Sequence, residues 1–319
     1  MIDRPRRRRI GRRAGWRIAF LGDLTLDVAL RPDEALVHGS DAPGSVSFRV
    51  GGSAANGARW GARLGARTSF IGAIGRDPLG RRLAASIAAD GVRAHLVRGT
   101  ERTARIGVIV EGTGERSFVT DRGAADQLPA TALRPGWLAV DALHIPAYAL
   151  LSDPLVPAAM RAVELARAKG AVVSVDLASR GPLLSRGRRE VLRRLERAAP
   201  DVLFGNEPEV AAVAAARGPR ALLSLAAVVC VKRGAEGCAV WARSDGGARE
   251  PLTLEVLASR VGATDTTGAG DAFDAGFLIA WLDARASGAR LATALRRAAL
   301  AGNRSAARYL LTPRRELVL

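Results

Sequence analysis

The chain has 319 residues, of which 48% are hydrophobic, and this is enough for one large α/β domain with a small appendage or for two modest domains. No apolar run reaches the roughly 18 residues of a transmembrane helix, and no apolar segment follows the basic N-terminus as in a secretory signal. The two cysteines, Cys230 and Cys238, are too few for a disulfide framework, so we interpret them as small buried residues. These features predict a cytoplasmic protein without a membrane partner.

The formal net charge of +17 would suit a nucleic-acid-binding protein, but the arginines are scattered along the chain. Aromatic residues, on which bases would stack, make up only 4% of the sequence. The arginines are concentrated only in residues 1–16, which we interpret as a disordered, solvated basic tail. We therefore expect no specific nucleic-acid partner.

Short apolar runs of β character alternate along the chain with Ala-, Leu- and Arg-rich stretches of helical periodicity. The predicted strands are Arg17–Gly22, Thr68–Ile74, Ala139–Ile145, Ala171–Asp176, Val202–Phe204 and Ala227–Val231. The predicted helices are Ala54–Leu64, Leu79–Ala89, Pro154–Lys169, Arg188–Ala198, Glu207–Ala216, Ala269–Arg285 and Ala289–Leu310. This alternation predicts a three-layer α/β/α domain over residues 17–319 with a mostly parallel central sheet.

Two segments, at about 27–50 and 103–121, depart from this alternation. Polar and apolar residues alternate in them, and glycine turns such as Glu111-Gly-Thr-Gly interrupt them. The pattern is typical of antiparallel strands with one face in solvent. We predict that the two segments form a small antiparallel β lid beside the first strand.

The segment Asp265-Thr-Thr-Gly-Ala-Gly-Asp271 immediately precedes a predicted apolar helix. The glycines allow backbone N–H groups to converge at the helix start, where the helix dipole also attracts an anion. A carboxylate beside a bound phosphate is repulsive unless it accepts a proton from an attacking hydroxyl, and phosphoryl transfer uses such a base. Taken alone, the segment equally fits an ordinary helix N-terminus with an acidic residue.

Further polar side chains are expected where the first predicted strand ends. Asp23 and Asp27 follow that strand, and Gly51 and Gly52 open the helix that carries Asn56. Open α/β sheets bind ligands at the carboxyl ends of their strands, and carboxylate and amide groups suit the hydroxyls of a polyol. These residues are therefore candidates for acceptor binding, with surface turn chemistry as the alternative.

The two glycine-rich segments resemble the two signatures of the ribokinase-like, or PfkB, family of carbohydrate kinases. The first match runs through Gly51-Gly-Ser-Ala-Ala-Asn-Gly-Ala58 and the second from Asp265 to Leu278, in the family's order and spacing. The resemblance covers nearly the whole chain from about Arg17. It implies the ribokinase-like fold and ATP-dependent phosphorylation of a small sugar or sugar acid, as in ribokinases, fructokinases and 2-keto-3-deoxygluconate kinases.

The resemblance also implies roles for individual residues. Asp271 would be the catalytic base, Gly268, Ala269 and Gly270 would form the anion hole, and Asp27, Gly51, Gly52 and Asn56 would hold the acceptor. Asn206 and Glu209 match the N-x-x-E motif that organises Mg²⁺ and the ATP phosphates, with Glu209 acting through water, although their spacing also fits a helix capping box. Lys232, Gly234 and Gly237 match the loop along ATP, with lysine in place of the usual threonine, and Asn303 matches an asparagine of the adenine-pocket helix.

Two further expectations follow from the resemblance. Asp265 matches an aspartate that helps to bind potassium in ribokinases, but the C-terminal run after Leu310 lacks the glycine-containing loop of that site, which argues against potassium. The lid resembles the family's β-clasp, which pairs with a second subunit, so a homodimer through lid residues is expected. The candidate interface residues are Phe48 and Val50, or Ile106, Val108 and Val110.

Other functions remain as alternatives. The chain lacks the G-x-x-x-x-G-K-[ST] loop of P-loop kinases. Arg116 and Arg122 of the lid could reach an acidic substrate, but on such an arginine-rich chain we interpret them as solvated. A nucleoside kinase of the same family is the first alternative, and a phosphosugar kinase would need a basic cluster that the sequence does not locate. A non-catalytic sugar- or polyanion-binding protein is the alternative of another class.

Overall fold

The computed structural model describes residues 15–111, 116–244, 250–263, 265–313 and 315–318. The strands are β1 (Arg17–Leu21), β2 (Thr25–Pro32), β3 (Gly44–Gly51), β4 (Arg67–Ile74), β5 (Arg93–Arg98), β6 (Arg105–Val110), β7 (Arg116–Asp121), β8 (Ala142–Pro146), β9 (Val172–Asp176), β10 (Val202–Asn206), β11 (Val228–Lys232), β12 (Cys238–Ala242) and β13 (Leu252–Val256). The α-helices are α1 (Ser53–Arg63), α2 (Pro78–Ala89), α3 (Tyr148–Leu151), α4 (Val156–Arg167), α5 (Arg180–Ser185), α6 (Arg188–Ala198), α7 (Glu207–Ala214), α8 (Ala269–Ala286) and α9 (Leu291–Leu311). None of the helices in these ranges is both long enough and apolar enough to cross a bilayer.

Nine strands form the central sheet, in the order β13-β12-β11-β10-β9-β8-β1-β4-β5. Every pairing from β11 to β5 is parallel, and β12 and β13 are added antiparallel at one edge. The expected α/β fold with a mostly parallel sheet is thus confirmed. The edge strands β5 and β13 are not among the predicted strands, because they are mostly half-buried or exposed and their sequences mix charged and apolar residues.

Consecutive residues of the inner strands enter opposite cores, because side chains alternate along a strand. Leu203 of β10 packs in the core beneath α4 to α7, whereas Phe204 packs against α8 and α9. The Phe204 ring lies edge-on to the Phe277 ring, with centroids 5.1 Å apart. Helices therefore cover both faces of the sheet, as the apolar runs of the strands predict. The buried thiols of Cys230 and Cys238 lie in the core between the sheet and helices α8 and α9.

A second sheet of four strands, in the order β3-β2-β6-β7, forms the lid. Its outer pairings are antiparallel as expected, but the inner pair of β2 and β6 is parallel. The parallel pair arises because the chain passes through α1, β4, α2 and β5 of the main domain between β3 and β6. The predicted turn at residues 112–115 lies outside the described residues.

The strand register of the lid separates two faces. The cleft face carries Asp27, Ala29, Arg31, Ser47, Arg49, Ile106, Val108, Val110, Arg116, Phe118 and Thr120. The outer face carries Leu26, Val28, Leu30, Val46, Phe48, Val50, Arg105, Ile109, Ser117 and Val119. Val108 and Val110 are buried on the cleft face, so they are not available to a subunit interface, for which Phe48 and Val50, or Ile106, Val108 and Val110, are the expected sets.

The predicted N-terminal tail includes one residue that belongs to the folded domain. The indole Nε1 of Trp16 donates to Asp283 at 3.0 Å, and the amide of Arg67 donates to the Trp16 carbonyl at 2.8 Å. Residues 1–14 of the predicted tail lie outside the described residues. The chain is therefore anchored from Trp16 onward.

Candidate active site

Neighbouring strands of the central sheet end in polar residues at the same edge. Asp176, Asn206 and Lys232 are the last residues of β9, β10 and β11, and Asp23 follows β1. Because the strands are parallel, their carboxyl ends lie side by side, and α8 begins over this edge. The fold thus gathers residues that are far apart in sequence.

The two signature segments meet at Asp271, the third residue of α8. Its Oδ1 accepts a hydrogen bond from Ser53 Oγ at 2.5 Å, and its Oδ2 accepts one from Asn56 Nδ2 at 3.0 Å. Both donors lie in the first turns of α1. The carboxylate is therefore held between the N-termini of two helices.

Burial raises the pKa of Asp271 to about 7, although the hydrogen bonds from Ser53 and Asn56 oppose this shift. Nearby Asp176 raises the pKa further, and Lys232 lowers it. A carboxylate with a pKa near neutrality can accept a proton and release it again at physiological pH. The environment of Asp271 thus suits a general base.

The glycine turn before α8 has the expected conformation. Gly268 has φ 84°, a left-handed value that favours glycine, and a side chain there would collide with the hydroxyl of Tyr309. The amide of Ala269 donates to the Thr266 carbonyl at 3.1 Å, so one donor of the predicted anion hole is engaged within the turn. The amides of Gly270 and Asp271 have no backbone acceptor in the described ranges, as expected at a helix N-terminus.

The side chain of Lys232 lies beneath this turn rather than in an open ATP loop. Its Nζ is 3.0 Å from Asp176 and 3.3 Å from both carboxylate oxygens of Asp274, and it is 3.2 Å from the position that a Cβ of Gly270 would occupy. Burial opposes the charge of Lys232, but Asp176 and Asp274 outweigh it and raise the pKa of the ammonium. The lysine therefore places a fixed positive charge under the anion hole.

The two carboxyl groups around Lys232 have different protonation tendencies. Although burial opposes ionisation, Lys232 lowers the pKa of Asp176, whereas burial and then Asp176 raise the pKa of Asp274. A proton is thus favoured on Asp274, and the negative charge is favoured on Asp176. The main ion pair of the cluster is Asp176 with Lys232.

The candidate acceptor residues lie together below the lid. Thr25 Oγ1 donates to Asp27 at 2.7 Å, and burial raises the pKa of Asp27 to about 6. Gly51 must be glycine, because a Cβ there would lie 2.1 Å from the Asp27 carboxylate. Gly52 has φ 97°, and its Cβ would lie 2.3 Å from the Asp23 carbonyl oxygen. The two glycines thus let β3 and α1 approach the aspartates.

Asp23 is buried beside Arg122. Arg122 Nη1 donates to one carboxylate oxygen of Asp23 at 3.4 Å, and its guanidinium lies over the ring of Tyr148 and pairs with Asp126. The other carboxylate oxygen of Asp23 is buried and has no hydrogen-bond partner in the described part of the chain. The interpretation of Arg122 as a solvated lid residue is therefore wrong, since its side chain is only 19% exposed.

A cleft lies between the lid, α1, the turn before α8 and the end of α9. Asp27 and Asn56 line it on the acceptor side, and Thr267 lines it next to the glycine turn. Tyr309 and Trp60 form an aromatic wall, with ring centroids 5.2 Å apart.

Asn206 and Glu209 form a reciprocal capping box at the start of α7. Asn206 Oδ1 accepts from the Glu209 amide, and the Glu209 carboxylate accepts from the Asn206 amide and from its Nδ2, each at 2.9 Å. Burial, followed by Asp176, raises the pKa of Glu209 to about 7. The described residues contain no cluster of three or more His, Cys, Asp or Glu side chains arranged for a metal ion. This donor set fits only a Mg²⁺ ion that keeps most of its waters and binds phosphates, as Mg²⁺ usually does.

The remaining residues predicted to bind ATP fall at one edge of the sheet. Gly234 is exposed at the turn between β11 and β12, whereas Gly237 packs against the carbonyl of Val256. Asn303 of α9 is buried, and its Nδ2 donates to the carbonyls of Val256 and Leu257 at 3.0 and 3.2 Å. Asn303 therefore holds the chain after β13 in place, so its side-chain N–H groups are not directed at the adenine base of ATP.

The carboxylate of Asp265 accepts hydrogen bonds from arginines of the lid. Its Oδ2 accepts from Arg31 Nη2 at 2.8 Å and from Arg49 Nη1 at 2.9 Å, and its Oδ1 accepts from the Thr267 amide at 3.0 Å. Arg116 Nη1 donates to Thr267 Oγ1 at 2.8 Å, so Arg116 is not a solvated residue either. This arrangement does not fit a monovalent cation at Asp265, because two guanidiniums already lie where the cation would bind.

Several residues of the site were not predicted as such. Asp176 could be found from sequence, because it ends a predicted strand at the ligand edge. Ser53 lies inside the first signature, but its partner Asp271 is 218 residues away. Arg31 and Arg49 carry no local signal, since only the strand register shows that they share a face with Asp27.

Comparisons with known proteins agree with this geometry. The family model described as pfkB family carbohydrate kinase matches residues 17–312. The chain is 31% identical over 287 residues to the probable fructokinase-4 of Arabidopsis thaliana, covering 84% of this chain and 83% of that protein. It is 30% identical over 272 residues to the fructokinase of Escherichia coli, covering 82% and 83%. The crystal structure of adenosine kinase from Sinorhizobium meliloti superposes with a TM-score of 0.79 at 25% identity, over 94% of this chain and 95% of that one.

The buried ion pair predicts a specific loss of stability. Replacing Lys232 with Met should lower the free energy of unfolding by about 3–5 kcal/mol, because the Asp176 charge then remains buried without its partner. Adding Asp176→Asn should recover part of this loss. Urea denaturation at neutral pH measures both, and Lys169→Met, at an exposed lysine in the turn after α4, is the control. A double variant no more stable than Lys232→Met would contradict the assignment.

Proposed function

Because the chain belongs to the pfkB family of carbohydrate kinases and is thus an enzyme for ATP-dependent sugar phosphorylation, we propose that Asp271 is the base that activates the acceptor hydroxyl. The observation that carries this proposal is the position of the Asp271 carboxylate. It lies at the helix N-terminus that would hold the transferred phosphoryl group and is hydrogen-bonded to Asn56, a lining residue of the cleft.

In this mechanism Asp27 and Asn56 orient the acceptor so that one hydroxyl faces Asp271. Asp271 removes the hydroxyl proton as the oxygen attacks the γ-phosphorus of ATP, and ADP leaves with the bridging oxygen. The protein contributes mainly positioning and electrostatic stabilisation, since phosphoryl transfer needs little covalent help. The proton on Asp271 returns to solvent after product release.

The negative charge that develops on the phosphoryl group would be stabilised by the start of α8. The N–H groups of Gly270 and Asp271 and the helix dipole face that position, and the Lys232 ammonium lies beneath Gly270. Mg²⁺, when bound, would neutralise part of the charge of the ATP phosphates. We propose that Glu209 and Asn206 hold the ion through water, which is consistent with the small number of carboxylates there.

The acceptor is proposed to be a small sugar or sugar acid. The curated relatives are named fructokinases, whereas a solved structure of similar shape is an adenosine kinase. A nucleoside would need an aromatic side chain for base stacking. Phe118 on the cleft face of the lid is 52% exposed, whereas Trp60 and Tyr309 line the cleft and supply aromatic rings there. Assaying purified protein with MgATP against pentoses, hexoses, keto-deoxy acids and nucleosides distinguishes these acceptors.

Loss of the base should abolish most of the activity. Asp271→Asn should lower kcat by roughly 10²- to 10⁴-fold, because the amide cannot accept the proton, while ATP binding should change little. Steady-state kinetics with the best acceptor and a calorimetric ATP titration measure the two effects. Glu164→Gln, at an exposed glutamate of α4, is the matched control. Near-normal turnover of Asp271→Asn would refute the assignment.

The pH dependence should report the Asp271 environment. Since Asp271 must be ionised to act and burial raises its pKa to about 7, kcat/KM should rise with pH through about 7. The hydroxyl of Ser53 stabilises the ionised form, so Ser53→Ala should raise this pKa and move the acidic limb to higher pH. A pH profile of kcat/KM for both proteins tests this, and an unchanged limb would show that another group controls it.

We also propose a homodimer through the outer face of the lid. Val46 and Val119 on this face are 57% and 68% exposed, and Phe48 lies on the same face two residues after Val46 in β3, which leaves apolar surface on the outer face. Val119→Glu should convert a dimer to a monomer in sedimentation experiments, whereas Leu184→Glu, at an exposed leucine of α5, should not. A wild-type protein that sediments as a monomer would exclude this interface.

The cytoplasmic location stays a prediction. It is supported by Cys230 and Cys238, which lie buried in adjacent strands and form no disulfide. Fractionation of cells that express a tagged chain would test it, and recovery in the membrane fraction would contradict it.

A further inference from the structure

Three arginines converge on the cleft face of the lid. Arg31 and Arg49 donate to Asp265 at 2.8 and 2.9 Å, and Arg116 donates to Thr267 and lies 4.0 Å from Asp265. Their side chains are 35%, 24% and 26% exposed, so the guanidiniums are half-buried in the site. They come from β2, β3 and β7, and the strand register alone brings them together.

These arginines offer more hydrogen-bond donors than the described protein groups around them accept. Each guanidinium carries five N–H donors, whereas a carboxylate has about four acceptor positions, and Asp265 uses one of them for the Thr267 amide. Nε of Arg31 is buried and has no acceptor within the ranges that the structure describes. Two carboxylates, Asp265 and Asp27, lie near these three positive charges, so the cluster keeps an excess of positive charge that suits a further anion.

The cluster extends from the turn before α8 to the acceptor side of the cleft. Arg49 lies directly opposite Asp27 in the register of β2 and β3, and both line the cleft together with Asn56. Asn56 in turn holds Asp271 at 3.0 Å. An acceptor whose reacting hydroxyl is at Asp271 and whose other hydroxyls bind Asn56 and Asp27 would therefore extend toward Arg49 and Arg31.

We infer that Arg31, Arg49 and Arg116 bind an anionic group of the acceptor, a carboxylate or a phosphate, at the end remote from the reacting hydroxyl. This inference rests on the proposed function and narrows the acceptor to a sugar acid or a sugar phosphate. Planar guanidiniums bind both groups through paired N–H bonds, and several arginines on one small site give selectivity against neutral sugars. The same oxyanion chemistry would also suit the γ-phosphate of ATP, so the experiment must separate these two sources.

The test compares acceptors that differ only by the charged group. One pair is 2-keto-3-deoxygluconate and 3-deoxyfructose, in which a carboxylate replaces a hydroxymethyl group, and the other is fructose 6-phosphate and fructose. The variant is Arg31→Gln/Arg49→Gln, and the control is Arg105→Gln, an exposed arginine on the outer face of the same lid. The values of kcat/KM for each acceptor and the KM for ATP are measured.

The wild-type protein should prefer the charged member of at least one pair by tenfold or more. In the double variant, the ratio of kcat/KM for the charged member to kcat/KM for the neutral member should fall by roughly 10- to 100-fold, and the KM for ATP should change by about twofold or less. Arg105→Gln should behave as wild type. A preference for neutral acceptors would overturn the inference, and a raised KM for ATP with every acceptor would assign the arginines to the γ-phosphate.

A binding measurement covers the case in which the double variant has little turnover. Gluconate and glucitol differ only by a carboxylate in place of a hydroxymethyl group, and gluconate should raise the melting temperature of the wild-type protein more than glucitol does. Arg116→Gln, checked for folding by circular dichroism, should reduce this difference. Equal effects of the two compounds on the wild-type protein would overturn the inference.

Failure of this inference can be told apart from failure of the proposed function. Phosphorylation of neutral sugars alone, with loss of activity in Asp271→Asn, would leave the proposed function intact and reject the anion site. Activity that survives Asp271→Asn, or the absence of phosphorylation with every acceptor, would instead reject the proposed function.

Discussion

The hydrogen bonds from α1 to the Asp271 carboxylate are the contact on which the site depends. Ser53 and Asn56 hold the carboxylate at the start of α8, and burial raises its pKa to about 7. The same helix start provides the free amides that attract an anion. A proton acceptor and an anion-binding helix end are thus adjacent, and this pairing is what phosphoryl transfer to a hydroxyl requires.

Such a site concentrates negative charge, and the fold offsets it with one buried cation. Asp176 and Asp274 lie near Asp271, Glu209 lies near Asp176, and Lys232 extends from β11 to meet Asp176 and Asp274. A buried pair of this kind adds little net stability by itself, because removing both charges from water costs about as much as their attraction returns. We interpret it instead as a means of placing a fixed positive charge under the glycine turn.

The lid is connected to this turn by charge as well as by its strands. The parallel pairing of β2 with β6 joins two segments that are separated by a whole βαβ unit, and Asp265 of the turn accepts from arginines of β2 and β3. The arginines therefore bind the turn before α8 from the lid, and Arg49 also lines the cleft. Their excess of donors makes the lid face selective for charge.

The sequence by itself determined the fold class, the family and the two segments that carry the chemistry. The apolar runs of β1, β9 and β10 and the glycine turn before Asp271 are local patterns, so their structure follows from neighbouring residues. The tertiary structure decided which distant side chains meet, including the pairing of Lys232 with Asp176 and of Arg31 and Arg49 with Asp265. These contacts cannot be predicted from neighbouring residues in the sequence, because a shift of one residue in strand register turns every side chain to the opposite face.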